Sequence, residues 1–385
     1  MEPNDYRTAF VDWQGNAGGF DQWSLKGVRV TEKGLQMAVG EATAGTDPFP
    51  AGGYNGGNYY NGGAFLVGEA LSPVIEADFD FRDAIASWNA RTPAGCWIEA
   101  DISARLEGRW TKWYVLGVWA EEDTTVRRHS VKDQEDENGD VSADTLNLKE
   151  AAQAFQLKLR LFAAGSTGEA KSVASPTVRY ASVACSSKPP KQASVSSGDP
   201  AFWDRQLVVP QCSQMVYPNG GNVWCSPTSA AMVLMYWSKS QDPCGEWVPR
   251  SVNGVWDWIF DGAGNWPFNT AYAARQSVDG YPDGLRACVR RFSSLAQLEP
   301  WIARGVPVII SIAWGKDTLT GAAVSSSNGH LVVLVGFDEA GNPIINDPAA
   351  KRDEEVRRTY LRREFEPLWL QSSGGTVYLI YPEEI

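Results

Sequence analysis

WCSPTSAAMVLMYW, residues 224–237, decides how the rest of the chain is read. From Ser226 to Trp237 it contains no charged side chain and is apolar on every helical face, so it predicts a helix buried on all sides. Pro227 falls in the first turn, where a missing N–H costs nothing. Cys225 stands at the mouth of that helix. There it feels the positive end of the helix dipole and backbone N–H groups without helical partners, and both favour thiolate over thiol.

Outward from this helix the pattern mixes helices and strands. SLAQLEPWIARG (294–305) predicts an amphipathic helix closed by glycine, leading into the apolar strand VPVIISIAW (306–314). A hairpin follows in HLVVLVGF–DEAGN–PIIND (330–347), then a last strand TVYLIYP (376–382). Residues 201–385 therefore read as an α+β domain. Residues 1–185 read instead as all-β, a sandwich or jelly roll. CWIEADISARL (96–106), WTKWYVLGVWA (110–120), FQLKLRLFA (155–163) and TVRYASVA (177–184) are bounded by turn residues. The strict alternation of FQLKLRLF places Phe155, Leu157, Leu159 and Leu161 on one buried face. Between the domains lies SSKPPKQASVSSGDP (186–200), read as a semi-extended linker. The Gly- and Tyr-rich stretch 44–64 reads as surface loop. DQEDENGDVSAD (133–144) places Gln134 and Thr145 at the first and bidentate ligand positions of a calcium loop, so it reads as an acidic Asn-Gly turn.

Composition narrows the function. The 385 residues carry 34 basic and 46 acidic side chains, a net charge of −12, which counts against a nucleic-acid partner. Two histidines exclude most histidine-rich metal sites, and no cofactor is expected. The longest apolar runs are far short of the roughly 18–20 residues of a membrane span. The start MEPNDYRTAF has no basic, apolar signal pattern, as in a mature or recombinant form.

His330 lies where the polar loop SSSNG enters an apolar strand, and Asp347 ends the returning strand of the same hairpin. Counting outward from the turn puts His330 opposite residue 349 or 350, so a bulge or an oblique contact is required for the two to meet. Together with Cys225 they form a set with a clear chemical logic. Histidine takes the thiol proton and returns it to the leaving group, while the carboxylate fixes the imidazole. Gln214, in VVPQCSQMVYP, supplies a side-chain donor for an oxyanion alongside the Cys225 N–H.

The order Gln214, Cys225, His330, Asp347, within SQ…WCSPTSAAMVLMYW, GVPVIISI and NGHLVVLVGF…IINDPAA, resembles the papain-superfamily cysteine peptidases related to the bacteriocin-leader (double-glycine) peptidases. The soluble, stand-alone branch is the nearer likeness, over roughly 205–385. The resemblance implies a papain-like fold with Cys225 as nucleophile, His330 as general base and acid, Asp347 as orienting carboxylate and Gln214 as oxyanion donor. It also implies a peptide or protein substrate. One departure is Ser226, where that group commonly has glycine after the cysteine. A cell-wall amidase or transpeptidase uses the same triad. A glycan- or peptide-binding protein with a vestigial site is the reading from another class. The β domain is expected to serve as a binding module, with glycan or cell-wall contact. Secretion is expected from the family likeness, the acidic surface and disulfides, for which Cys96–Cys185 and Cys244–Cys288 are the pairs to test. Trp224, Trp266 and Trp314 belong either to the cleft or to the core.

Overall fold

The computed structural model describes residues 6–46, 63–165, 174–278, 281 and 284–385. Its chain divides into two compact units. One, the β unit, holds Phe10–Cys185 together with Trp256–Phe268. The other, the C-terminal unit, holds Ser186–Val255 and Asn269–Ile385 with the N-terminal Met1–Ala9.

The β unit is organised around Thr145–Ala164, a strand of 20 residues. Its second half runs antiparallel between Ala64–Leu71 and Cys96–Leu106, with Leu161 opposite both Gly68 and Ile98. Its first half lies between Gly139–Ser142 and Ile75–Arg91, with register slips between Asn147 and Ala154. Phe155, Leu157, Leu159 and Leu161 are buried, while Gln156, Lys158 and Arg160 between them are half-buried. The period of two thus yields the apolar face that the alternation predicts, and each such side chain contributes about 1.5–3 kcal/mol through burial. The run 110–120 is not one strand. Arg109–Trp110 and Tyr114–Trp119 are separated where the Thr111 hydroxyl accepts from the Ala104 N–H and donates to the Lys112 carbonyl.

The C-terminal unit is a mixed layer of helices and an antiparallel sheet. Its strands run in the order Arg286–Arg291, Thr376–Tyr381, Val308–Trp314, Ser327–Phe337, Pro343–Asn346, Arg357–Thr359. Helices Cys225–Ser238, Cys244–Val255 and Arg362–Ser373 belong to it. Cys225–Ser238 is buried from Ser226 through Met235, as its lack of charge requires. The stretch 294–305 forms a 3-10 turn, Leu295–Leu298, running into a short helix, Glu299–Ala303.

Three segments depart from the sequence reading. Trp256–Phe268 groups with the β unit rather than with the region 201–385. The Asp257 carboxylate accepts from the N–H of Ser130 at 3.0 Å and from Asn265 Nδ2 at 2.9 Å, and Phe268 packs on Trp119 and Trp88 at centroid distances of 5.4 and 6.3 Å. Ser130, Trp119 and Trp88 are more than a hundred residues from these partners, so no local pattern signals them. The second correction concerns 186–200, whose later half is not a bare linker. Ser196 N–H donates to Glu366 and Asp199 N–H to Glu299, at 2.9 and 2.8 Å. Arg362 joins Glu299 at 2.7 Å and the Ser196 hydroxyl at 3.0 Å. Buried charges are stable only when paired, and this strap supplies part of the pairing. The third correction is the turn near Asn138. Gly139 begins a strand, and the chain reverses at Ala143–Asp144, with Ala143 at φ 57°. Asp136 Oδ1 accepts from the N–H groups of Asn138 and Gly139, which holds an Asx-type turn ahead of the strand. Of the expected loop 44–64, Thr43–Thr46 is strand and 47–62 lies outside the described residues.

Candidate active site

The site forms where the Cys225 helix meets the His330 strand. Ser229, one turn beyond Cys225, donates its hydroxyl to the Leu331 carbonyl at 3.1 Å, which pins the helix mouth beside His330. Cys225 is half-buried at the first helical position. Burial pushes its thiol up, but hydrogen bonding to His330, the His330 charge and the backbone N–H groups of Leu331 and Ser226 outweigh that and hold it below the ordinary thiol range.

His330 lies opposite Ile312 in the sheet and is buried. Its register against the returning strand slips between Leu334 and Gly336, and Asp347 leaves that strand just past Asn346. This combination of slip and strand end brings the side chains together. His330 Nε2 donates to Asp347 Oδ1 at 2.7 Å, which leaves Nδ1 for the thiol. Burial disfavours the imidazolium, yet the Asp347 charge and hydrogen bond, with Cys225 behind them, raise His330 to about 10. Asp347 is fully buried. Burial opposes its ionisation, but the His330 charge and hydrogen bond, the Tyr360 hydroxyl and the Ala349 N–H hold it below the usual carboxylate range. The three groups lie in one chain, and the shift of each favours its charged form.

Gln214 sits on the segment that precedes the helix. Its N–H donates to the Pro348 carbonyl at 2.8 Å, next to Asp347, and its carbonyl accepts from Tyr217, whose ring lies 5.6 Å from that of Trp224. Gln214 is buried, and its Oε1 meets no hydrogen-bond partner. The neighbouring Ser213 is tied to the same loop through Asp353 and Ala350. A disulfide joins Cys212 to Cys244 with a Cα–Cα distance of 5.7 Å, anchoring this segment two residues from Gln214. That replaces the pairs Cys96–Cys185 and Cys244–Cys288. Cys96 and Cys288 are buried inside strand ladders, opposite Ala163 and Leu379, and with Cys185 they remain thiols.

Ser226 turns away from the cleft. Its hydroxyl meets the Tyr378 hydroxyl in the core at 2.9 Å, so the departure from glycine adds no bulk beside the nucleophile. Trp314 is buried with its ring T-shaped to that of His330 at 5.5 Å, Trp224 is half-buried directly before Cys225, and Trp266 belongs to the β unit. Tyr360, which the sequence reading did not single out, donates to Asp347 Oδ2 at 2.6 Å. Its only sequence signal is a place just past the strand Arg357–Thr359, which returns after the Asp347 loop. Among the described residues no cluster of His, Cys, Asp and Glu is arranged to hold a metal ion.

A model for the Peptidase C39 N-terminal domain matches residues 9–186, and one for the Peptidase C39-like family matches 206–377. The chain belongs to the C39-like peptidase family. Family membership places it with cysteine-peptidase-like hydrolases. A candidate C39-like peptidase from Bacillus anthracis is 18% identical, with a TM-score of 0.32 over 46% of this chain and 97% of its own. Carbohydrate-binding modules of the β-sandwich superfamily give 9% identity and a TM-score of 0.17, over 45% of this chain and 54% of theirs. The CBM22-1–GH10 modules of Clostridium thermocellum endo-1,4-β-D-xylanase 10B, complexed with xylohexaose, give 10% identity and a TM-score of 0.17, over 51% of this chain and 31% of theirs. No curated protein matches the chain.

Proposed function

We propose that this C39-like chain is a papain-like thiol hydrolase that cleaves peptide or related amide bonds through an acyl-enzyme on Cys225. The observation that carries the reading is the continuous relay from the Cys225 thiol through His330 to the fully buried Asp347. The Cys225 thiolate attacks the carbonyl carbon, and the negative charge that develops on its oxygen is met by the Cys225 N–H and the Gln214 side-chain amide. The His330 imidazolium then gives its proton to the departing amine. Water, deprotonated by the now neutral imidazole, attacks the thioester and releases the acid and the thiolate. Asp347 holds the ring in position and stabilises its charge throughout. A cell-wall amidase or transpeptidase differs only in the acyl acceptor or the amide chosen. We take the chain to be secreted.

The test is the pH dependence of iodoacetamide labelling at Cys225, read by mass spectrometry in the wild type and in His330→Ala. Rapid labelling near pH 6 that is lost in the variant supports the thiolate. Cleavage of a peptide library that disappears in Cys225→Ala supports the hydrolase. Labelling that rises only near the ordinary thiol value of about 8.5 makes the chain a binding protein with a vestigial site.

A specific surface favours the β unit, sandwich-like by this reading, as a glycan-binding module. Trp110 and Trp113 are 39% and 36% exposed, and Lys158 places its ammonium 4.1 Å over the Trp113 ring. Lys158 and its strand neighbour Arg160 are half-buried cations, held from below by the buried carboxylates Asp101 and Glu99. Aromatic platforms beside charged hydrogen-bonding groups suit pyranose rings. Quenching of tryptophan fluorescence by peptidoglycan fragments or xylo-oligosaccharides, lost in Trp113→Ala, is the expected result. Equal quenching in that variant excludes this face.

A further inference from the structure

Asp347 is a fully buried carboxylate whose two oxygens are served differently. Oδ1 accepts from His330 Nε2 at 2.7 Å and from the Ala349 N–H at 2.9 Å. Oδ2 faces the Tyr360 hydroxyl, which donates to it at 2.6 Å. A carboxylate taken out of water keeps its charge only when donors replace the hydration it has lost. Short hydrogen bonds to an ionised oxygen are the strong class of such donors.

Tyr360 is built to hold that position. It is 1% exposed and its ring stacks on Phe365 at 5.9 Å with the planes 16° apart. Its backbone N–H donates to the Pro343 carbonyl at the start of the strand that leads to Asp347. The Ala323 backbone, on the loop that follows Trp314 and precedes His330, bears on the same hydroxyl. The same loop is fixed by Trp314 Nε1, which donates to the Val324 carbonyl, and by Arg358, which donates to the Gly321 carbonyl. The Tyr360 oxygen therefore stands between this loop and the carboxylate. It has no route to a substrate carbonyl except through Asp347 and His330.

We propose that Tyr360 is a positioning residue of the triad: by donating to Asp347 Oδ2 from a hydroxyl fixed by burial and by stacking on Phe365, it keeps Asp347 ionised and aimed at His330. The proposal rests on the thiol-hydrolase reading of the site and extends it to a fourth side chain. The charged and titratable groups that bear on Asp347 are His330, Tyr360, Cys225 beyond the imidazole and Arg358 beside the Tyr360 hydroxyl. Only Tyr360 among them can lose its hydrogen bond without losing a formal charge.

The test is the labelling rate of Cys225 by iodoacetamide against pH in the wild-type chain, in Tyr360→Phe and in a chain carrying 3-fluorotyrosine at position 360. Phenylalanine preserves the stacking on Phe365 and deletes only the hydroxyl. Asp347 then holds its charge over a narrower range, and the acid limb of the profile moves up by about one pH unit. Fluorotyrosine is a stronger donor and moves the limb down. A rotor-only or packing role for Tyr360 leaves the limb in place in both variants, and superimposable profiles overturn the proposal. If wild-type Cys225 itself labels only near the ordinary thiol range, the reading of the whole site fails instead, which is a separate outcome. Near-ultraviolet circular dichroism verifies the fold of each variant.

Discussion

Replacing Asp347 by asparagine isolates what the buried carboxylate contributes. Asparagine keeps the size and leaves an oxygen to accept from His330 Nε2, so the bond at 2.7 Å survives in geometry while the charge is removed. A hydrogen bond between charged groups is worth about 1–2 kcal/mol more than a neutral one, or about one pH unit. The direct attraction between unit charges at about 4 Å, at an effective dielectric of 20, is about 4 kcal/mol, or about three units. The His330 imidazolium, held up to about 10 chiefly against burial by Asp347, should therefore fall by about one to three units. The direction is fixed by sign. A carboxylate beside an imidazole favours its protonated form, so loss of the carboxylate can only lower it. With less imidazolium beside it, Cys225 loses the influence that depresses its thiol, and the acid limb of iodoacetamide labelling shifts upward by a similar amount. Stability follows the same linkage. The His330 contribution is complete below its unfolded value near 6.5 and is lost as pH rises through about 10, whereas those of Asp347 and Cys225 are lost as pH falls through their depressed values. Asp347→Asn should show no alkaline loss near 10. The assays are the labelling profile and the His330 titration by nuclear magnetic resonance. Unchanged profiles in a folded variant would refute the relay.

Three further outcomes are expected. Phe268→Ala should lower stability by about 3–5 kcal/mol in urea unfolding, since it empties the contact with Trp88 and Trp119; an effect below 1 kcal/mol would show that 256–268 is dispensable to the β unit. A fragment ending at residue 185 should show the same weakness. Paired replacement of Cys212 and Cys244 by alanine should cost about 3–4 kcal/mol, from the sequence separation of 32 residues that the bridge closes, and equal melting with and without reductant would contradict it. Arg362→Met leaves Glu299 and Glu366 without their buried cation, and should open the backbone near Ser196 to limited proteolysis; a wild-type chain already cleaved there would show that the strap is loose.

Much of the site was legible because its signals are local. The absence of charge between Ser226 and Trp237 dictates a buried helix, and a cysteine at such a helix mouth is a candidate nucleophile, although its lowered thiol depends on His330 from a distant strand. Alternation in FQLKLRLF dictates which side chains turn inward. His330 and Asp347 lie on one hairpin, so their meeting depends on a short turn and a register slip, which the count of residues anticipates. Other features rest on contacts between distant segments. Tyr360 reaches Asp347 only after the chain has looped back as a third strand, and Ser229 finds Leu331 across 102 residues. Cys212 and Cys244 pair because the segment before the first helix passes the start of the second, whereas cysteine counting by domain favoured other partners. Asp257 and Phe268 join the β unit although the segments flanking Trp256–Phe268 do not. Sequence by itself determined the all-β and α+β character of the two regions, the buried helix, the buried faces and the candidate reacting groups, since periodicity and side-chain chemistry act within a few residues. Tertiary structure alone decided which distant donors complete the carboxylate, which thiols are bridged and where each unit ends, because those depend on the close packing of segments that no local pattern relates.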